Sequence, residues 1–421
     1  MKVLFKNISS LVTICRNGER FLAGEDMFYV SEIKDGAIFF DEKILWVGET
    51  VVAEEQIRLG KIKPDKIYDL KGKSVIPGFV DSHTHMVFAG DRSDEFAQRV
   101  AGATYQEIAA RGGGILKTVS ETRKASEDEL FENASRFLKN AIAHGTVALE
   151  IKSGYGLDVE TELKILRVIR RLAENFPVDI VPTFLGAHDF PPEYRNRPDE
   201  YVDLICNVMI PRVAEENLAQ YCDCFVDKGY FTIDQARRIF ETATKFGLKI
   251  RMHADELADV GAAKLAAELG AVSADHLLFV SDESLDATQK AGTIATLLPG
   301  TSYFIRMPYA PAKKILQKGI PIALASDFNP GSCFTENMQI ILSLAVINLG
   351  MNCQQAMVAS TLNGAYSLGI SHRLGSIEVG KDATFAILDC PSYLEMFYHF
   401  GVNHLESIWI KGEKVEIDSG V

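Results

Sequence analysis

Eight short apolar stretches, separated by segments of helical pattern, constrain the fold of this chain more than any other feature. They read SVIPGFVDSH, TVALEIKS, VDIVPTFLGAH, CDCFVDKG, LKIRMHAD, AVSADHLL, TIATLLPG and PIALASDF. Eight strands that alternate with helices over about 300 residues give the element count of a (β/α)8 barrel. A doubly wound open sheet is the second possibility, but its first strand is usually followed by a glycine-rich turn. The run Gly112–Gly114 does not follow a predicted strand, so the pattern favours an α/β fold with a (β/α)8 TIM barrel over residues 75–372.

The segment from Thr232 to Lys245 illustrates the helical pattern between two of these strands. Thr232 and Gln235 have the spacing of a capping box, which marks the start of a helix. Four apolar side chains then recur at helical spacing: Ala236, Ile239, Phe240 and Ala243. This spacing predicts a helix that packs one face against the barrel.

The two ends of the chain follow a different pattern from the middle. KVLFKNISSLVT and GAIFFDEKILWVGE near the start, and GSIEVGKDATFAILD and ESIWIKGEKVEI near the end, read as strand–turn–strand segments. A chain of 421 residues is long enough for one large domain and a smaller one. We therefore expect residues 1–74 and 373–421 to come together as one small β-sandwich domain.

The net charge of −13 and the lack of a lysine or arginine run argue against nucleic acid or an anionic membrane as the main partner. A small anionic substrate stays possible, because one arginine can reverse the charge of a pocket. No stretch approaches about 18 consecutive apolar residues, and the first ten residues lack the apolar core of a secretory leader. Seven scattered cysteines do not form a disulfide framework. These features predict a cytoplasmic protein.

Five of the nine histidines fall at the carboxyl ends of predicted barrel strands, where such barrels carry their active sites. They are His83 and His85 (strand one), His188 (strand three), His253 (strand five) and His276 (strand six). Because residues i and i+2 of a strand point to one face, His83 and His85 point the same way. A single histidine at a strand end is commonly structural, whereas five on one rim indicate a site.

Three of these histidines and the aspartate that ends strand eight form a set of metal ligands: His83, His85, His253 and Asp327. Three nitrogens and one oxygen suit Zn²⁺, and also Fe²⁺ or Mn²⁺, and they can hold one ion with a position left for water. A bound metal lowers the pKa of that water toward about 7 and so creates hydroxide at neutral pH. Glu256 follows His253 by three residues, at the strand mouth, where it can move protons. We therefore expect one divalent metal ion, zinc or iron.

The HxH motif after PGFVD, the later histidines and the last-strand aspartate resemble the amidohydrolase superfamily. That resemblance implies a (β/α)8 barrel joined to a β-sandwich built from both chain ends, and hydrolysis through metal-activated water. Many members hold two metals bridged by a carboxylated lysine from strand four. In this sequence Lys228 follows Asp227 in the turn after strand four, and Lys152 lies on strand two. Neither position matches the bridging lysine, so one metal is expected.

Six stretches resemble the imidazolonepropionase family in particular: PGFVDSHTHMVFAGDR, EIKSGYGLD, TFLGAHDFPPEY, HADE, SADHL and SDFNPGS. KSGYGL and DFNPG are signatures of that family, whereas HxH belongs to the whole superfamily. The family's substrate contacts fall on Arg92, Tyr155, His188, Glu256, Asn329, Gly331 and Ser332. Tyr105 is a weaker candidate, because a packing residue at a helix start is the simpler interpretation. The family also suggests a homodimer.

The implied reaction opens the ring of 4-imidazolone-5-propanoate, a small anionic substrate, to N-formimidoyl-L-glutamate in histidine degradation. Glu256 is expected to act as base, and His276 to polarise the ring carbonyl or move a proton. Asp327 can relay a proton to the leaving nitrogen in addition to binding metal. Arg92 is expected to bind the propionate tail.

Two other functions stay open at this point. Another mononuclear amidohydrolase, such as an aromatic deaminase or an aminoacylase-like enzyme, would share the metal ligands and differ at Arg92, Tyr155 and Asn329. A non-catalytic, metal-dependent scaffold would keep the barrel for assembly. Such a scaffold has no use for a proton-transfer pair, and Glu256 with His276 therefore argues against it.

Overall fold

The computed structural model describes residues 1–14, 18–103 and 113–416, so Tyr105 lies outside the described residues. Two eight-stranded sheets organise this part of the chain. Their strands are Val3–Val12 (β1), Glu32–Phe40 (β2), Ile44–Glu49 (β3), Lys66–Asp69 (β4), Ser74–Pro77 (β5), Phe79–Asp81 (β6), Thr146–Lys152 (β7), Asp179–Ala187 (β8), Tyr221–Val226 (β9), Lys249–Ala254 (β10), Ser273–His276 (β11), Ile294–Leu297 (β12), Ile322–Leu324 (β13), Phe385–Leu388 (β14), Leu405–Ile410 (β15) and Glu413–Val415 (β16).

Strands β6 to β13 stand side by side in chain order, and all of their pairings are parallel. Contacts just beyond the last strand join it to the first. The Asp327 amide donates to the His83 carbonyl at 3.0 Å, and the His85 amide donates to the Phe328 carbonyl at 2.9 Å. Asp81 accepts hydrogen bonds from the amide and the hydroxyl of Ser326. These contacts close the sheet, and the predicted (β/α)8 barrel is confirmed.

Helices follow the barrel strands, as a parallel sheet requires. They span Ser93–Val100, Ile115–Lys124 and Glu127–Ala143 after β6, Val159–Asn175 after β7, Pro198–Leu204 and Ile210–Glu215 after β8, Ile233–Lys245 after β9, Ala262–Glu268 after β10, Asp282–Ala291 after β11, Pro299–Ile305 and Ala312–Gln317 after β12, and Met338–Ile347, Cys353–Ala359 and Leu362–Ser367 after β13. Thr50–Arg58 and Glu395–Tyr398 are helices outside the barrel. The helix at Ile233 begins with the predicted capping box of Thr232 and Gln235. No helix among the described residues is long and apolar enough to cross a membrane.

The second sheet is built from both ends of the chain, in the order β16-β15-β14-β5-β1-β2-β3, with β4 beside β1. Part of its core is a group of aromatic side chains from both chain ends. The Phe5 ring lies 4.9 Å from Phe40, 5.6 Å from Phe385 and 5.0 Å from Trp409, between ring centres. Because Phe5 and Trp409 come from strands that are not neighbours, the two ends of the chain share one core.

The change from one sheet to the other falls at Gly78. The stretch SVIPGFVDSH forms two strands, of which β5 pairs with β14 and β1 while β6 opens the barrel. A Cβ at Gly78 would lie 2.2 Å from a methyl carbon of Val147, so the close approach of the two segments requires glycine. The sheet of the chain ends therefore reaches Pro77, three residues beyond the predicted limit.

GSIEVGKDATFAILD contains one strand, β14, instead of the predicted strand–turn–strand. The preceding residues form turns that polar contacts hold to the barrel. Arg373 forms two 2.7 Å contacts with the carboxylate of Asp179, and Lys381 donates to the Ser371 carbonyl at 2.6 Å. The contact with Asp179 ties this segment to the barrel, and the contact with Ser371 closes a turn within it.

Candidate active site

Four side chains meet at the carboxyl end of the barrel: His83, His85, His253 and Asp327. The Nε2 atom of His83 lies 3.1 Å from Nε2 of His253 and 3.3 Å from Nε2 of His85. The Asp327 Oδ1 atom lies 3.5 Å from His83 Nε2 and 3.4 Å from His85 Nε2. All four side chains are buried. The structure thus brings the four predicted ligands together: His253 lies on β10, His83 and His85 follow β6, and Asp327 follows β13.

The chemistry of this cluster fits a metal ion. His83 Nδ1 is hydrogen-bonded to Asp275, which puts the proton on that nitrogen and leaves a lone pair on Nε2. Nε2 lone pairs that face each other at 3.1 Å repel unless a cation lies between them. Ligand atoms about 2.0–2.2 Å from one tetrahedral ion lie about 3.3–3.6 Å apart, close to the observed separations. The donor set is therefore arranged as that of a metal site.

Two carboxylates behind the cluster orient its histidines, and neither was predicted. Asp275 Oδ2 lies 2.7 Å from His83 Nδ1, and Asp223 Oδ2 lies 2.9 Å from His253 Nδ1. Such carboxylate–histidine pairs fix the ring that faces a metal. The sequence carries one signal for these two residues. Each aspartate lies inside an apolar strand, in CDCF and in SADH, and a buried carboxylate needs a partner.

His276 and Glu256 lie beside the cluster, and His276 Nε2 is 3.6 Å from Glu256 Oε2. Burial lowers the pKa of His276 to about 3, so its ring is neutral. Neither ring nitrogen of His276 has a hydrogen-bond partner among the described residues. Burial also raises the pKa of Glu256 to about 8, with a further contribution from Asp327, and a cation in the cluster would lower it again. The pair combines a neutral imidazole with a carboxyl group able to exchange protons.

Backbone strain is concentrated at the turns that aim these groups. Asp255, His276 and Asp327 have φ values of +50°, +76° and +52°, in the left-handed region that non-glycine residues rarely occupy. Each such residue costs roughly 1–3 kcal/mol and persists where the surrounding contacts hold it. Asp227 helps to stabilise the turn after β10, because its carboxylate accepts a hydrogen bond from the Glu256 amide at 2.8 Å. The mouths of β10, β11 and β13 are thus shaped for the site at a cost in stability.

A cavity of about 660 Å³ opens above the cluster, and Arg92 lies on its wall. Arg92 Nε donates to Glu95 Oε2 at 2.9 Å, and only 12% of the arginine side chain is exposed. A Cβ at position 331 would lie 2.4 Å from Arg92 Nη1, so Gly331 leaves the room that the guanidinium occupies. Glu95 was not predicted, although its i, i+3 spacing from Arg92 is the signal of a helical pair.

Tyr155 and His188 line the same cavity on the side of His85. The rings of His85 and His188 stack with centres 5.1 Å apart, and His188 Nδ1 donates to the Gly154 carbonyl at 3.0 Å. The loop that carries Tyr155 wraps around the buried carboxylate of Glu162. That carboxylate accepts from the amides of Gly154, Gly156 and Leu157 at 2.7–3.0 Å. Glu162 was also missed, because its role depends on the folded loop.

Asn329, Gly331 and Ser332 also line the cavity, but the Asn329 side chain is engaged within its own loop. Its Oδ1 accepts from the amides of Gly331 and Ser332 at 2.8 and 2.7 Å. Its Nδ2 donates to the Asp327 carbonyl at 2.7 Å and the Ser332 hydroxyl at 2.8 Å. Asn329 therefore holds the loop that follows Asp327 in position against Arg92.

The two lysines considered as metal bridges lie in contrasting places. Lys228 is exposed in the turn after β9. Lys152 is fully buried and contacts Glu150 at 2.7 Å and Asp223 at 2.8 Å. Burial acts to lower the pKa of Lys152, but these carboxylates outweigh it and raise the pKa. Carboxylation requires the neutral amine, so this environment disfavours a bridging role for Lys152.

Comparison with known proteins extends these observations over the whole chain. The model of the amidohydrolase family matches residues 74–415. The imidazolonepropionase of Alkaliphilus metalliredigens is 45% identical over 99% of this chain and 98% of its own length. Those of Symbiobacterium thermophilum (46%, 99% and 98%) and Geobacillus kaustophilus (43%, 100% and 99%) are similarly close.

Solved structures share the architecture at much lower identity. An adenosine deaminase from Xanthomonas campestris with bound zinc superposes with a TM-score of 0.71 at 17% identity, over 98% of this chain and 92% of its own. The guanine deaminase of E. coli gives 0.71 at 15% identity, over 99% of both chains. These likenesses concern the fold, whereas the matched family model and the full-length relatives establish membership. The chain belongs to the imidazolonepropionase family of the amidohydrolases.

Proposed function

We propose that this protein hydrolyses 4-imidazolone-5-propanoate to N-formimidoyl-L-glutamate, the ring-opening step of histidine degradation. One observation carries the proposal: Arg92 lines the same cavity as three of the four cluster residues, His85, His253 and Asp327. The fourth, His83, contacts each of those three. The cluster suits activation of water, and Arg92 suits binding of a carboxylate. Full-length relatives at 43–46% identity, all named imidazolonepropionase, support the same reaction.

The four cluster residues would hold one divalent metal ion, zinc or iron. When bound, that ion supplies Lewis-acid activation of the attacking water. Nitrogen and oxygen ligands accept both metals, so the choice follows availability. Asp223 and Asp275 keep the lone pairs of His253 and His83 directed at the ion position.

Substrate binding is assigned to the cavity wall. The guanidinium of Arg92 can pair with the propionate through two parallel hydrogen bonds, the geometry that arginine favours. The Tyr155 hydroxyl and the His188 ring can donate further hydrogen bonds to the substrate. The amide groups of Gly331 and Ser332 already bond to Asn329, which fixes the loop beside Arg92.

Proton transfer is assigned to three groups at the cavity floor. Glu256 takes a proton from the water as its oxygen attacks the ring carbonyl carbon. Neutral His276 donates a hydrogen bond to the carbonyl oxygen as that oxygen becomes negative. Collapse of the tetrahedral intermediate breaks the bond between the carbonyl carbon and the ring nitrogen. Glu256 returns the proton that it took from the water, and Asp327 can relay that proton to the departing nitrogen. The products are a carboxylate and a formimidoylamino group.

A substrate panel tests this function against other amidohydrolase reactions. Metal-loaded protein should turn over 4-imidazolone-5-propanoate and leave guanine, adenosine and N-acetylated amino acids unchanged. Turnover of one of the latter compounds in place of the imidazolone would refute the proposed substrate. A homodimer in the cytoplasm, without nucleic acid or membrane partners, stays a prediction for light scattering and cell fractionation to examine.

A further inference from the structure

A layer of five charged side chains lies inside the barrel, beneath the metal-ligand cluster. The members are Glu150, Lys152, Asp223, Arg251 and Asp275, and each is 0% exposed. Burying ionised groups is costly, and replacing a buried ion pair by apolar side chains is often neutral or stabilising. A layer of this kind therefore calls for a role other than stability.

Lys152 is the member that connects this layer to the cluster. Its Nζ atom lies 2.7 Å from Glu150 Oε2, 2.8 Å from Asp223 Oδ2 and 3.9 Å from Asp275 Oδ2. The oxygens of Asp223 and Asp275 that face Lys152 are the same atoms that contact His253 and His83. One ammonium group thus stands behind two of the three histidine ligands.

Arg251, the other cation of the layer, has a different set of contacts. Its Nε atom lies 3.3 Å from Glu150, and its Nη1 donates to the hydroxyls of Ser273 and Ser367 at 3.2 Å. These contacts tie the barrel to the helix Leu362–Ser367. The contacts to the histidine-orienting oxygens therefore belong to Lys152.

We propose that Lys152 is a positioning residue for the metal site, whose ammonium holds the carboxylates of Asp223 and Asp275 against the Nδ1 atoms of His253 and His83. A compact charge with three donors can serve several carboxylates at once. Without it, two carboxylates in one buried layer repel each other and turn away from the rings. The inference rests on the proposed metal site and adds a residue that touches neither metal nor substrate.

The test replaces the ammonium and measures the metal site without reference to turnover. Lys152→Met keeps most of the side-chain length and removes the charge. Thr183→Val is the matched control, because the Thr183 hydroxyl donates to Glu150 in the same buried layer, and the contacts of Asp223 and Asp275 to the histidines do not involve it. Zinc affinity is measured by chelator competition, and ligand geometry by the visible absorption of cobalt(II)-substituted protein.

Lys152→Met is expected to weaken zinc binding by about tenfold or more. Tenfold is the lower end of the loss in metal affinity seen when a partner that orients a ligand is removed. Its cobalt spectrum should change, while Thr183→Val matches the wild type in both readouts. Zinc affinity within twofold of wild type together with an unchanged cobalt spectrum would overturn the proposal. If the wild type itself binds no metal, the proposed function fails as well, which separates the two claims.

A second variant guards against simple misfolding. Lys152→Met combined with Glu150→Gln preserves the net charge of the layer and leaves Asp223 and Asp275 in place. It should fold and show the same loss of zinc affinity. If neither variant folds, Lys152 is a residue of the fold, and its assignment to the metal site is wrong.

Discussion

His83 Nδ1 lies 2.7 Å from Asp275 Oδ2, while Nε2 of the same ring lies 3.1 Å from Nε2 of His253. The carboxylate determines which nitrogen carries the proton and therefore which one presents a lone pair to the cluster. His83 Nε2 can serve as a metal ligand because Asp275 stands behind it.

Asp275→Asn should lower metal affinity by about 10–100-fold, because an uncharged amide orients and polarises the His83 ring less strongly. Chelator competition with zinc measures the change. Asp128→Asn is the control, since Asp128 lies on the helix Glu127–Ala143, pairs with Arg171 and has 78% of its side chain exposed. Equal zinc affinities for the two variants would show that Asp275 does not support the site.

Glu256→Gln should keep bound metal and fold but lower turnover by about 10²–10⁴-fold, because the amide has a similar shape and no basic oxygen. Steady-state rates and metal content on the same sample measure this. Glu283→Gln, an exposed glutamate whose side chain is 76% accessible, is the control. Near-normal turnover of Glu256→Gln would assign the base to another residue, with His276 and Asp327 the first to examine.

Arg92→Ala should chiefly raise KM for the acid substrate and leave bound metal unchanged. Hydrogen bonds to a charged group contribute about 1.5–3 kcal/mol each, which corresponds to about ten- to a hundredfold in affinity. A methyl-ester analogue should be a poor substrate of the wild-type protein. Arg92→Ala should lower the affinity for this ester little further, because the ester and the variant remove the same interaction. Equal penalties for acid and ester would make Arg92 a structural residue.

Glu162→Gln should destabilise the loop that carries Tyr155. The Glu162 carboxylate accepts from the amides of Gly154, Gly156 and Leu157, whereas a glutamine side chain turns an N–H donor toward those donors. An unsatisfied buried group costs about 1–3 kcal/mol, so the free energy of unfolding in urea should fall by that amount. KM should rise with metal content unchanged.

Glu160→Gln is the control for that loop, because Glu160 lies on the same helix with 73% of its side chain exposed. Its free energy of unfolding should stay within about 0.5 kcal/mol of wild type, as for most surface substitutions. If the free energy of unfolding of Glu162→Gln equalled that of Glu160→Gln, the loop would not depend on the buried carboxylate.

The barrel was predictable because strands buried on both faces appear as continuous apolar runs. All eight runs became strands β6 to β13, and the histidines at their ends could be placed on one rim without knowledge of long-range contacts. The change of sheet at Gly78 was not predicted. The dipeptide Pro77-Gly78 is a turn signal, but apolar residues stand on both sides of it, so the pattern predicts β5 and β6 as one strand. A turn signal of this kind marks a break between two strands, but it does not show that the strands belong to different sheets.

The sequence signals that Asp223 and Asp275 are buried, but it does not show which residues they contact. Asp223, Asp275 and Lys152 come from three strands, and their contacts depend on how those strands are staggered around the barrel. Arg92 immediately precedes the helix Ser93–Val100, which carries Glu95, and the two residues could have been paired from their spacing alone. Contacts within one element are visible in a sequence, whereas contacts across a closed barrel are not.

The most direct test of the proposed reaction mixes purified protein of measured metal content with 4-imidazolone-5-propanoate and follows the ring absorbance. Glu256→Gln and metal-stripped protein serve as controls, and mass spectrometry identifies the product. We expect metal-loaded wild type to consume the ring over many turnovers and release N-formimidoyl-L-glutamate, with both controls close to the rate in buffer. Ring loss at the buffer rate by metal-loaded wild type would contradict the account.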